Sequence, residues 1–399
     1  MTNKNNKSVI RRVNGIRFYN EDHTITNIIK ILFLKKGRVA GGVITFQNTM
    51  LHMFNESPNF KLIVIDDQAK IRNKFLNYIY KFMQSRRIIH ILFEYMYLMP
   101  QVIKYRKKVD YLFIPHPFKY GVFVILISLL LKIPFIVPIL GWTEKELRLR
   151  GVSETEIFIR LKYESWVYRK AKYLLSSEDL INKYGKNLKK NKFLSFYSVV
   201  DTNIFKPMPK SAILRDKLGV GSKKVIFTAA PLEGVKAEGI KILLEAYVLI
   251  RRRYDNVILV IAGDGPDREK LEKLAKSLII ENGVMFLGYC NNMPELLNLA
   301  DVFALIFSFG GGIGMAILEA MACGKPCVVS RTSGTEVLRD REEVLLTSLD
   351  PKDIADKILL LLKDEDYARK IGINARKRIE ADFSIEKVGE KLFNKLSEI

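Results

Sequence analysis

Sulfur and imidazole are scarce in this chain. It has three cysteines, Cys290, Cys323 and Cys327, and none of them makes a C-x-x-C pair. The four histidines (His23, His52, His90 and His116) are scattered along the sequence. Neither a zinc cluster nor a disulfide framework is expected from that pattern, no metal site is assigned, and a reducing cytosol fits it. The opening residues, MTNKNNKSVIRRVNG, lack the apolar core of a secretory leader. Long apolar runs are also missing. The best candidate, Val122–Leu131, stops at Lys132 and is followed by Pro134 and Pro138. A bilayer span needs about 20 such residues, so this run reads as a buried helix leading into a buried strand. There is no repeat at solenoid periods and no helix-turn-helix, RNA-recognition or zinc-finger pattern, so nucleic acid is not an expected partner.

What is present is ample core material and a surplus of cations. Apolar residues make up 48% of the 399 positions and aromatics 11%, enough to bury two domains rather than one. The net charge of +22 asks for an anionic partner: nucleic acid, which no motif supports, acidic lipid headgroups or a phosphorylated substrate. The cations are dispersed in small groups such as Lys104-Tyr105-Arg106-Lys107-Lys108, Lys189-Lys190 and Arg251-Arg252-Arg253, with no single basic arm.

Strand-like and helix-like periods alternate twice along the chain. Residues 1–28 are polar and aperiodic and read as an N-terminal extension. From Ile29 to Phe205 apolar runs at 29–35, 61–66, 88–93, 111–115, 135–140, 173–177 and 193–198 read as strands, with helical patterns between them, notably 71–84, 122–131 and 154–173. Residues 206–222, with Pro207, Pro209 and Gly221, read as a linker. A second alternation fills 223–382, and the last helical pattern occupies 383–399. The class is α/β, with two doubly wound sheets, and a ligand is expected at the carboxyl ends of the strands.

The most informative stretch runs from Asp301 to Val337. A short apolar run, Val302–Phe307, is followed by Gly310, Gly311, Gly312 and Gly314, then by a helical pattern from Met315 to Ala322 holding one carboxylate, Glu319. Glycines let backbone N–H groups approach an anion, and the N-terminus of a helix adds its dipole and unpaired donors. Glu319 lies about one and a half turns into that helix, where a carboxylate can accept from vicinal hydroxyls such as those of a ribose.

Further motifs follow a fixed order: Gly263-Asp264-Gly265-Pro266 after a strand, Phe286-Leu287-Gly288, Glu319-Ala320-Met321-Ala322-Cys323-Gly324-Lys325-Pro326, Ser333-Gly334-Thr335-Glu336 and Phe383-Ser384. Weaker echoes are Gly41-Gly42 and Val200-Asp201-Thr202-Asn203-Ile204-Phe205. In this order the chain resembles the retaining, nucleotide-sugar-dependent glycosyltransferases of GT-B fold (group 1, family 4-like), most strongly from Val225 to Ser384. The resemblance implies two Rossmann-like domains facing across a cleft, with the C-terminal helix returning to the first. It implies that Glu319 is the second acid of an E-x7-E motif, bonded to the donor ribose. It further implies that Gly311, Gly312, Ile313, Gly314 and Met315 face the donor sugar and diphosphate, that Gly41 and Gly42 border the phosphates, and that Gly263 flanks the nucleotide.

This sequence departs from that pattern at three places. Gly311 stands at the first acid of E-x7-E, Glu238 stands at the usual lysine, and Leu140 replaces the histidine before Gly141. The segment Thr228–Gly239 holds one cation, Lys236, the candidate to neutralise a leaving diphosphate, with Lys325 and Arg331 as further candidates. His116, in Ile114-Pro115-His116-Pro117 after a strand, is the candidate to contact acceptor or sugar; Lys236 and His116 form the catalytic pair of this reading. The expected activity is metal-independent hexosyl transfer, with retention, from a nucleotide-sugar co-substrate to a glycan or lipid-linked acceptor, in the cytoplasm and against the anionic inner face of the membrane. The helix at 122–131, with Arg148 and Arg150, is the expected membrane side. The rival expectation is a catalytically weakened or inactive GT-B protein that binds nucleotide, sugar or a partner.

Overall fold

A computed structural model describes residues 11–13, 16–18, 29–35, 49–55, 57, 60–66, 99–100, 102–114, 117–139, 144, 147–148, 151–176, 181, 188, 192–195, 198–307, 313–332 and 334–397. The chain divides into two compact units. One comprises Met1–Leu140, Glu154–Phe196 and Val388–Ile399; the other comprises Gly141–Ser153 and Tyr197–Lys387.

The first unit is built on strands β1 (Arg11–Val13), β2 (Ile16–Phe18), β3 (Ile29–Lys35), β4 (Phe60–Asp66), β5 (Tyr111–Phe113), β6 (Phe135–Pro138), β7 (Tyr173–Ser176) and β8 (Phe193–Ser195). They lie in the order β1-β2-β4-β3-β5-β6-β7-β8. From β4 to β8 every pairing is parallel. The first two strands form an antiparallel hairpin that pairs onto the edge of β4, Phe18 opposite Ile63. Part of the stretch expected to be an extension is therefore sheet. Strands of three residues carry too little alternation to register as a pattern. The helix expected at 71–84 and the strand at 88–93 fall outside the described residues.

Two helices of this unit pack on each other, α1 (Pro117–Leu131) and α2 (Glu154–Lys170). Pro117 opens α1 at a position whose N–H has no helical acceptor, which is why the helix starts earlier than its apolar run. Gly121 allows the close crossing: a Cβ there would sit 2.5 Å from Val167 Cγ2 and 2.6 Å from the Tyr163 hydroxyl. That hydroxyl accepts from Val122 N–H at 3.0 Å. The unit is completed by the end of the last helix, whose Phe393 ring meets Phe60 edge-on at 5.9 Å.

The second unit carries β9 (Lys224–Ala229), β10 (Val257–Ala262), β11 (Val284–Gly288), β12 (Val302–Leu305), β13 (Cys327–Ser330) and β14 (Leu345–Thr347), all parallel, in the order β11-β10-β9-β12-β13-β14. Counted within the unit, that order is third, second, first, fourth, fifth, sixth. The direction of winding reverses between β9 and β12, and ligands of such sheets bind outside the carboxyl ends of the strands at that reversal. Every residue of β10 is buried, as a strand covered on both faces requires. On one face the core includes α6 (Met293–Leu299), α7 (Met315–Ala322) and residues Ala375 and Ile379 of α9 (Glu365–Asp382). On the other it includes α4 (Gly234–Arg251), α5 (Arg268–Ser277) and α8 (Pro351–Lys363).

The segment 206–222, expected to be a linker, belongs to this unit and holds a short helix, α3 (Ala212–Lys217), capped by Ser211. Met208 N–H donates to Asn298 Oδ1 at 2.9 Å, and Asn298 in turn donates to Lys206 O at 3.0 Å. A bond made across 90 residues leaves no local trace in the sequence.

Two sequence motifs are explained by the ends of this unit. Asp201 accepts from Asn203 N–H at 2.8 Å and Ile204 N–H at 3.2 Å, closing a turn through its own side chain. Val200 N–H donates to Phe383 O at 2.9 Å, and Ile385 N–H, at the start of α10 (Ile385–Ser397), donates to Val200 O at 3.2 Å. Arg376 of α9 then joins three carbonyls: Phe205 O at 2.7 Å, Ala322 O at 2.7 Å and Thr202 O at 3.2 Å. It thereby holds the last turn of α7 against the segment that opens the unit. Arg376→Leu removes this fork and is expected to cost about 2 kcal/mol, lowering the melting temperature by roughly 4–8 °C. Arg376→Lys, with one compact ammonium, recovers less than half of that loss. Calorimetry of the three proteins measures it, and an unchanged melting temperature in Arg376→Leu would show the fork to be idle.

Candidate functional site

The reversal point of the second sheet sits between β9 and β12, and each of these strands leads toward a helix. Beyond β12 the backbone continues buried through Ile306 and Phe307. Ser330, at the end of β13, accepts from Phe307 N–H at 2.9 Å and donates to Phe307 O at 2.7 Å, so the point where the chain leaves the sheet is held on both sides. Gly311 and Gly312, with the rest of 308–312, lie outside the described residues. The chain is described again at Ile313, which is buried and whose carbonyl accepts from Ser198 Oγ at 3.3 Å.

Gly314 is the N-cap of α7, in extended conformation (φ −61°, ψ 136°). Nothing among the described residues demands a glycine there. A Cβ would find its nearest neighbour, Leu305 Cδ2, at 3.5 Å, an ordinary contact. Above it the N–H groups of Met315 and Ala316 have no acceptor among the described residues, as the first turn of a helix leaves them. Orphan donors at a helix start, beside a residue without a side chain, are what an anion needs. Gly314→Ala is therefore expected to fold with a melting temperature within about 2 °C of the parent, because an unstrained glycine replaced by alanine changes stability by less than about 1 kcal/mol. Loss of nucleotide affinity in that stable protein, read by calorimetric titration, would locate the ligand against this glycine; unchanged affinity would remove Gly314 from the site.

Glu319 follows one turn later on the same helical face as Met315 and Ala316. Side chains of a helix lean toward its N-terminus, so this carboxylate lies on the side of the orphan donors of Met315 and Ala316. It is 7% exposed, and no hydrogen bond or ion pair reaches its side-chain oxygens among the described residues. Burial alone pushes its pKa from 4.5 up to about 7. A buried carboxylate without a partner is costly, and such groups are held where a ligand completes them.

The other residues singled out in the sequence fare differently. Gly263 has a backbone reason to be glycine: its φ is +143°, and a Cβ would lie 1.9 Å from Ala230 O. No donor contact is needed to explain it. Lys236 is exposed on the first turn of α4, whose start adjoins the end of β9, so it belongs to the same end of the sheet as Glu319. Glu238 is exposed two residues on. Lys325 is not available to a phosphate: its ammonium donates to Asn298 O at 2.8 Å beyond the far end of α7, and burial lowers its pKa to about 8. Arg331 is paired with Asp340 at 3.0 Å. His116, Gly41, Gly42 and Leu140 lie outside the described residues. Sequence reasoning missed Thr228, fully buried at the end of β9 with a hydroxyl that has no partner among the described residues, and Gly239, where α4 crosses the end of β12. A cavity of about 900 Å³ lies elsewhere, between the C-terminus of α4, α8 and the start of α9, lined by charged residues such as Arg253 and Asp356 that pair with each other.

Comparison with solved structures gives the fold its class. The chain superposes on a crystal structure of HepE from Anabaena in complex with UDP and glucose, with a TM-score of 0.71 over 93% of this chain and 100% of that one, at 19% identity. Sucrose-phosphate synthase from Thermosynechococcus elongatus gives 0.67 over 93% and 98%, at 16% identity. The fold is GT-B, two Rossmann-like domains. Residues 211–378, within the second unit, match the family Glycosyl transferases group 1. Among curated proteins, the N-acetyl-α-D-glucosaminyl L-malate synthase of Bacillus anthracis is 32% identical over 216 residues, 53% of this chain and 55% of the relative. A GDP-mannose-dependent α-(1-6)-phosphatidylinositol monomannoside mannosyltransferase of Mycobacterium tuberculosis is 31% identical over 204 residues, 48% and 52%. The chain thus spans about half the length of the curated relatives it matches.

Proposed function

We propose that this protein transfers a sugar, with retention of configuration, from a nucleotide-sugar donor to a glycan or lipid-linked acceptor. The observation that carries the reading is Glu319: a buried carboxylate, without a partner among the described residues, one turn behind the orphan N–H groups of Met315 and Ala316. Ribose hydroxyls donate to the carboxylate, and the diphosphate takes the N–H groups and the helix dipole. The donor's own phosphate receives the acceptor proton, so no divalent ion enters the scheme, and Lys236, at the start of α4, is the cation assigned to stabilise the leaving diphosphate. The relatives support the substrate class: one is named for GDP-mannose and a phosphatidylinositol mannoside, and the Anabaena structure holds UDP and glucose. Anionic lipid at the inner face of the membrane is part of this reading, because a lipid-linked acceptor would be met there.

The test is turnover of purified protein across a panel of UDP- and GDP-sugars, in EDTA, with product configuration read by NMR. Release of nucleotide with an α-linked product from an α-linked donor is the expected result, and an inverted product would overturn retention. A second reading rests on one observation: Glu238, exposed on the first turns of α4, stands where the resemblance places a lysine. It makes the chain a binding protein of GT-B fold. Nucleotide binding without turnover of any donor in the panel would decide for it.

A further inference from the structure

Helices α1 and α2 turn a continuous apolar and cationic face outward. On α1 the exposed positions are Val122, Leu126, Leu129 and Leu130, spaced for one stripe, with Leu129 and Leu130 65% and 68% exposed. On α2, Phe158 and Ile159 are 62% and 60% exposed, and Trp166 is exposed further along. The two stripes adjoin: Tyr163 binds the Val122 backbone at 3.0 Å and lies 6.2 Å, ring to ring, from Trp166. Isolated exposed leucines are ordinary; seven large apolar side chains on two packed helices are not.

The cations sort onto the same face. At about 100° per residue, Phe158, Arg169, Lys162, Trp166, Ile159 and Lys170 fall within an arc of about 120°. Lys162 extends over the Phe158 ring at 5.3 Å. The one acid between Ile157 and Lys170, Glu164, is buried on the other side. More cations gather where chain segments lead into strands: exposed Arg106, Lys107 and Lys108 before β5, Lys132 before β6 and Lys172 before β7. None of these makes an ion pair with a described residue. All sit at the amino ends of parallel strands, the edge opposite the one at which such sheets take ligands. Arg148, expected here from its place in the sequence, instead belongs to the second unit and pairs with Glu144, and Arg150 lies outside the described residues.

We propose that this α1–α2 face with its cationic rim docks the first unit onto an anionic phospholipid surface. Lysine is depleted at protein–protein interfaces, whereas apolar and aromatic side chains interleaved with Lys and Arg suit a headgroup layer. The cations draw the face to anionic headgroups and the apolar side chains insert among them, so both sets contribute to attachment. The contact is with the bilayer surface: α1 has 15 residues, and no described helix is long and apolar enough to span. The inference names the lipid partner of the proposed transferase, and its test needs no donor.

The full chain is floated with vesicles of phosphatidylcholine alone, or with 30 mol% phosphatidylglycerol, in 0.1 M and 0.5 M salt. Binding to the anionic vesicles, at least fivefold weaker in 0.5 M salt and absent on neutral vesicles, is expected. In a Trp142→Phe background, Trp166 emission shifts to shorter wavelength on binding. Leu129→Glu/Leu130→Glu and Lys107→Glu/Lys108→Glu, which keep the parent's thermal melt, each lose at least fivefold. Three results would overturn the proposal: no flotation, equal flotation on neutral vesicles, or a dimer by light scattering that Leu129→Glu/Leu130→Glu dissolves. Flotation without sugar transfer defeats the catalytic reading alone; transfer to a soluble acceptor without flotation defeats the docking alone.

Discussion

Glu319→Gln makes the empty protein more stable and unable to hold its donor. Folding raises this carboxyl from 4.5 to about 7 because burial disfavours its charged form. A raised carboxyl is tolerated while protonated, so its contribution is most favourable below pH 4.5 and is lost as pH climbs through 7. The loss amounts to about 3 kcal/mol above pH 7. The amide never ionises. At pH 8 the variant is therefore expected to gain about 2 kcal/mol, somewhat less than the full term because an unpartnered amide is also buried, and its stability stays flat from pH 5 to 8. Denaturant melts across that range measure both. Donor affinity moves the other way: hydroxyls are held by the ionised carboxylate, and binding at pH 8 falls at least tenfold in the variant. In the parent, affinity is roughly tenfold weaker at pH 6 than at pH 8, since ligation must first remove the proton. A variant that is destabilised at pH 8 and binds normally would make Glu319 a structural acid with no ligand.

Gly239→Ala collapses the second unit although alanine is the better helix former. In an open helix the exchange would gain about 1 kcal/mol. Here α4 crosses the end of β12 so closely that the new Cβ would lie 1.7 Å from Ile306 O and 2.6 Å from its carbonyl carbon. Both are backbone atoms, and the next residue is fastened by Ser330 on both its N–H and its carbonyl, so the strand end cannot retreat. The expected cost is roughly 3–5 kcal/mol, a fall of about 10 °C or more in melting temperature. A melting temperature equal to or above the parent's would mean that the helix slides freely. Gly314→Ala is the contrast, because a Cβ there would meet Leu305 and Ile317 only at ordinary contact distances of 3.5 Å and beyond.

These two glycines show what the sequence could and could not say. Both stand near short glycine patterns, and pattern alone assigns each to a ligand or to a turn with equal ease. The close approach at Gly239 and at Gly263 depends on strands far away in the chain, so it is invisible until the sheet is assembled. By contrast β10, β13 and α8 start and end at the residues their apolar runs and punctuation mark, because burial on both faces, or a Pro351 start, writes itself locally. Glu319 was legible as a carboxylate in an apolar helix; its lack of a partner was not. Lys325 reads as one more surface cation, and only the carbonyl of Asn298 reveals that it is spent elsewhere. The hairpin at 11–18 and the packing of 206–222 escaped because their partners, Ile63 and Asn298, come much later in the chain.

The pairing of Val200 with Ser384 sets the two ends of the stretch 197–387 on neighbouring backbones. A fragment cut at those points would begin and finish at one spot, like a purse closed by its string. It could be spliced into a surface loop of an unrelated host without prying that loop apart, carrying Gly314 and Glu319 along as cargo.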